Sequence, residues 1–69
     1  MKFHYYPETD SLYIELSNKP AADSQEVKPG IVLDLDADGN LVGLDIDQAS
    51  TKVELSKLEI ESLPVTQVA

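Results

Sequence analysis

The chain has 69 residues, 42% of them hydrophobic, with 13 acidic residues against five basic ones, no cysteine and a formal net charge of -8. That length allows one domain near the lower limit for an independent apolar core. The missing cysteines exclude disulfides and thiolate metal sites, and an acidic surface without a single arginine argues against direct nucleic-acid binding.

In chain order, the first signal is alternation. Residues 2–6 (KFHYY) and 11–17 (SLYIELS) each place apolar side chains on one face, Phe3 and Tyr5 in the first, Leu12, Ile14 and Leu16 in the second. PETD between them has the composition of a type I turn, so the pair reads as a first hairpin. No apolar signal region precedes it, and no run approaches the roughly 20 apolar residues of a membrane span, so the expected location is the cytoplasm. NKPAAD has no period and reads as a loop. SQEVK is a short edge-strand candidate stopped by Pro29-Gly30, with Val27 as its core residue.

The stretch DLDADGNLVGLD (34–45) imitates the first half of an EF-hand loop through Asp34, Asp36, Asp38 and Gly39. Its flanks alternate like strands, however, and its twelfth residue is Asp45 rather than the usual bidentate Glu. The expected structure is therefore a second hairpin with Asp38-Gly39 as the centre of a type I′ turn, pairing Leu35 with Val42, Leu33 with Leu44 and Ile31 with Ile46. The opposite face then carries Asp34, Asp36, Asp45 and Asp47, a solvated acidic surface.

After Asp47 the pattern turns helical. Ser56-Lys57-Leu58-Glu59 matches a capping box, Leu55 and Ile60 match a hydrophobic staple, and Pro64 is a stop, which predicts a helix over about 57–63. The final VTQVA is expected to fray. The expected core joins the aliphatic and aromatic positions of both hairpins to Val27, Leu55, Leu58, Ile60 and Leu63. The resulting fold class is α+β, a four-stranded antiparallel meander of two hairpins with a short C-terminal helix, a single domain over residues 1–69. One small helix leaves much of a four-stranded face open, so a homodimer, or a different chain completing the core, is expected.

The residues offer little catalytic chemistry. His4 is the only histidine and falls beside Tyr6 on the face opposite Phe3 and Tyr5, where it reads as a surface residue. No serine sits in a nucleophile-elbow context and no glycine-rich loop joins a strand to a helix, so neither catalysis nor a cofactor is expected. The four aspartates are the candidate binding residues: either they dock a basic protein partner, or, as the alternative, they hold a divalent cation.

YYPETDSLYIELS followed by SQEVKPGIVLDLDADGNLVGLDIDQAS closely resembles the small bacterial family known as domain of unknown function 2283. Its members look like Y-x-P-E-x-D-x-L-Y-I, a P-G before an aliphatic strand, D-x-D-x-D-G, a second aliphatic strand and an Ala-Ser turn. The resemblance covers roughly residues 5–50. It implies a compact β-rich domain with no established activity and no catalytic residues, and it suggests an antitoxin-type role against a small basic toxin.

Overall fold

A computed structural model describes residues 1–64 of the chain, so the expectation for VTQVA lies outside the described residues. Strands β1 (Lys2–Tyr6), β2 (Ser11–Glu15), β3 (Asp23–Lys28), β4 (Ile31–Leu35) and β5 (Leu41–Ile46) precede one helical turn, α1 (Ala49–Lys52). All five strands form one sheet in the order β1-β2-β5-β4-β3, and every pairing is antiparallel. The architecture is antiparallel β with a short helix after the last strand. It has five strands rather than four, and it is not a meander, because β2 pairs with β5 across the intervening β3–β4 hairpin.

The extra strand is the SQEVK segment. Pro29 and Gly30 form a two-residue connection between paired Lys28 and Ile31, and Gly30 takes φ 79°, the conformation that the second central position of a type II turn requires. Composition hides this strand. It is charged and polar almost throughout, exposed along its whole length, and interrupted by a bulge between Glu26 and Lys28. Val27 sits at that bulge and is half exposed, so it is a rim residue and not part of the core.

The expected register of β4 and β5 holds at Leu33–Leu44 and Ile31–Ile46 and shifts toward the loop, where Leu35 lies opposite Leu41 rather than Val42. The turn residues explain the shift. Asp36 donates its N–H to the Asn40 carbonyl at 2.9 Å, and Gly39 donates back to the Asp36 carbonyl at 3.0 Å. With Gly39 at φ 83°, the connection is a three-residue loop with a bulge, not a two-residue type I′ turn.

The helix is one turn long and lies at 49–52. Residues 57–63 are not helical, and the Ser56–Glu59 capping box does not form. A seven-residue helix repays its nucleation only through packing, and Leu58 and Ile60 are exposed at 65% and 58%. At 49–52 the first free N–H groups find acceptors from a distant residue. Gln48 supplies no side-chain cap, but Asp10 accepts from the Ala49 N–H through its carbonyl at 2.8 Å and from the Ser50 N–H and hydroxyl through its carboxylate at 3.2 Å and 2.6 Å. The Tyr5 hydroxyl donates to the same carboxylate at 2.8 Å. Asp10 itself stands in the left-handed region at φ 53°, a conformation Asp tolerates better than most residues.

The core is thin. Among the described residues Val42, Ile46 and Ala49 are the buried hydrophobic ones, whereas Phe3, Tyr5, Val53, Leu55, Leu58, Ile60 and Leu63, most of them expected inside, keep 39–65% of their surface exposed. A single sheet without a second layer leaves one apolar face to solvent, and the tail after α1 covers it only in part.

Asp10 generates the first prediction. Replacing it with Ala removes the hydrogen bonds that three donors make to its carboxylate and leaves a residue strained at positive φ, so the melting temperature should fall by several degrees, and further than for Ser50→Ala. Equal losses in the two variants would show that the carboxylate acts only through Ser50. Hydrogen bonds from Ser50 and then Tyr5 hold the Asp10 carboxyl below its ordinary 3.8. Its stabilisation is thus complete above about pH 4 and disappears as pH falls through the folded value, so Asp10→Ala should flatten the acid limb of the stability profile.

Candidate functional site

The two faces of the sheet differ in chemistry because paired residues share a face. The row Phe3–Ile14–Leu44–Leu33–Gln25 and the row Tyr5–Leu12–Ile46–Ile31–Lys28 run across all five strands on one side. On the other side run Lys2–Glu15–Gly43–Asp34–Ser24 and His4–Tyr13–Asp45–Val32–Glu26. His4 falls there, exposed as expected, with its ring 4.2 Å from that of Tyr6.

The four candidate aspartates are placed unequally on this polar side. Asp34 and Asp45 share the face as diagonal neighbours of the β4–β5 pairing. Asp36 does not join them. It lies beyond the end of β4, is only 7% exposed, and turns into its own loop, where its Oδ1 accepts from the N–H groups of Asp38 at 2.9 Å and Asn40 at 2.8 Å. The Asn40 N–H, together with that of Asp38, holds its carboxyl below the ordinary carboxylate value. Its role is to close the hairpin, the role an Asx-turn residue plays. Asp47 follows β5 and accepts a long 3.4 Å hydrogen bond from the Ser11 hydroxyl.

Asp34 is also committed internally. Tyr13 reaches from β2 across β5 and donates its hydroxyl to Asp34 Oδ2 at 2.8 Å, while Ser24 on β3 donates to Oδ1 at 2.7 Å. One carboxylate therefore ties β2, β4 and β3 together. Gly43 makes the crossing possible: a Cβ at that position would come within 2.0 Å of the Tyr13 hydroxyl. A side chain there and a tyrosine lying over it exclude each other. The hydrogen bond to Asp34, with burial, pushes the Tyr13 phenol up to about 12.

Asp45 is the aspartate that lacks such support. It is part-buried, burial pushes its carboxyl up, and the charges of Asp47 and Asp34 push the same way. Among the described residues, no group of three or more His, Cys, Asp or Glu side chains is arranged to hold a metal ion. The only ion pair among them joins exposed Lys57 and Glu59 at 3.2 Å.

The apolar side carries a groove of about 570 Å³ between the sheet and the tail, lined by Phe3, Tyr5, Leu12, Ile14, Leu55 and Leu58 among others. Its floor was legible in the alternation of the first hairpin. Its open wall was not, because the capping-box pattern pointed to a helix lying flat on the sheet. Tyr13 was missed as a site residue as well; the signal for it was a glycine in mid-strand, which marks a close approach by another group.

A five-stranded antiparallel sheet with one polar, internally bonded face and one open apolar face defines a small β domain. The chain belongs to the family described as "Protein of unknown function (DUF2283)", whose model matches residues 2–50. That span holds all five strands and ends at Ser50, the residue bonded to Asp10. No curated protein matches the chain, and no solved structure does. No helix among the described residues is long and apolar enough to cross a membrane.

The Tyr13 strap gives the second prediction. Absorbance titration of tyrosinate should resolve a group with a midpoint near 12 that vanishes in Tyr13→Phe. With the folded value raised, the hydrogen bond stabilises the domain fully below about pH 10 and ceases to do so as pH rises through about 12. Gly43→Ala should destabilise by about 1–3 kcal/mol and erase that titration. In a Tyr13→Thr background the same alanine should be nearly harmless; a full cost there would mean that the crowding is not with Tyr13.

Proposed function

We propose that this domain is a non-enzymatic protein-interaction module that works through the apolar face of its sheet. The observation that carries this reading is the exposure of Phe3, Tyr5, Leu55 and Leu58 around one groove, while only three hydrophobic residues are buried among the described ones. Contiguous apolar surface on a small acidic protein costs solubility and stability unless a partner covers it.

A second reading places the partner on the polar face. Asp45 supports it, since it faces the like charges of Asp34 and Asp47, and a basic protein or a cation would relieve that repulsion. The antitoxin-type role is a special case of this reading. Asp36, engaged by its own loop, takes no part in it.

The two readings separate by salt. With the tagged domain as bait, the module reading expects a bound protein, either an untagged copy of the chain or another polypeptide, to stay at about 1 M salt, where charge contacts are screened. That partner should be lost from Phe3→Ser/Leu58→Ser bait. Release by salt and by Asp45→Asn/Asp47→Asn would transfer the function to the polar face, and failure to retain any protein at low salt would refute the module.

A further inference from the structure

Resting on that reading, we infer that the occupant of the apolar face is a second copy of this chain, packed face to face so that two single sheets become the two layers of a sandwich.

Size is the first argument. The domain measures 32 × 32 × 19 Å, a slab one sheet thick, and a stable interface of standard size takes about 800 Å² from each partner, which one face of this slab accommodates. Two sheets stacked about 10 Å apart bury both inner faces. Phe3, Ile14, Leu44, Leu33, Tyr5 and Leu12 would supply the core that one copy lacks.

Charge is the second. Each copy carries -8, and two such molecules repel unless their contact surfaces are neutral. The two rows of the apolar face contain a single charged residue, Lys28, at the β3 rim, whereas Glu15, Asp34, Asp45 and Glu26 stand on the opposite face. Face-to-face packing therefore holds the carboxylates apart by the full thickness of both sheets. The tail adds Glu54 and Lys57 to the groove lining, one charge of each sign.

Self-complementarity is the third. A two-fold axis lying between two sheets and parallel to them sets the same apolar patch against itself, the commonest closed arrangement of like subunits. Leu55 and Leu58 of the tail line the groove and keep 39% and 65% of their surface exposed, so the tail adds apolar surface to the same patch.

Sedimentation equilibrium of the purified chain, loaded across a hundredfold range of concentration, is the test. The inference expects a mass of twice 7.6 kDa at the higher loadings, little changed by salt. Phe3→Lys should weaken association at least tenfold, as should Ile14→Lys, while Asp45→Lys on the other face should not. Isotope-filtered NMR on mixed labelled and unlabelled wild-type protein covers the case in which a face variant unfolds: cross-peaks between copies should join the methyls of Leu12, Ile14 and Leu44 and spare Val32. A 7.6 kDa species at every loading, or contacts between copies confined to Val32 and its neighbours, would overturn the inference. The monomer result would leave the module reading intact wherever the bait still retains a different protein at high salt.

Discussion

The pairing of β2 with β5 is the constraint on which everything else in this domain hangs. It brings together segments about thirty residues apart and places the β3–β4 hairpin outside them. Without it the chain is two separate ribbons, neither with enough apolar surface to be stable alone. Asp10 secures one end of the pairing by binding the start of α1 through its carbonyl and carboxylate. The Tyr13 strap secures the middle by crossing β5 to reach Asp34. Both devices are polar and non-local, and both sit where the aliphatic pattern alone leaves strand order open.

The same economy shapes the two faces. Carboxylates that look like a recognition surface in the sequence are largely spent on holding the sheet together, Asp34 between strands and Asp36 within its turn. The apolar face is where the domain is incomplete. Burial that a larger protein would obtain from a second layer of its own chain is supplied among the described residues only in part, by the tail after α1.

Period-two alternation made four of the five strands legible, together with the register at Leu33–Leu44 and Ile31–Ile46 and the separation of polar from apolar side chains. The β3 strand was read only as an edge candidate, because an exposed edge does not need apolar residues and therefore shows no alternation. The helix was misplaced for a related reason. Ser56, Glu59, Leu55 and Ile60 satisfy the local rules for a helix start, but local rules cannot overcome the absence of a packing partner, and one turn forms at 49–52 because Asp10, forty residues away, supplies acceptors. Of the candidate site, the acidic residues were visible and their internal uses were not, since Tyr13, Gly43 and Asp34 meet only once strand order is known.

The bulge between Glu26 and Lys28 has a consequence for how such a sheet can grow. Of the two outer strands, β3 is guarded by that irregularity, by its charges and by Pro29, all of which discourage another strand from adding to it. The opposite edge, β1, is regular and aromatic, with no strand beyond it among the described residues. Endless strand-by-strand polymerisation needs two receptive edges, and this sheet has one. The guarded β3 edge is therefore what keeps the sheet from propagating as a fibre.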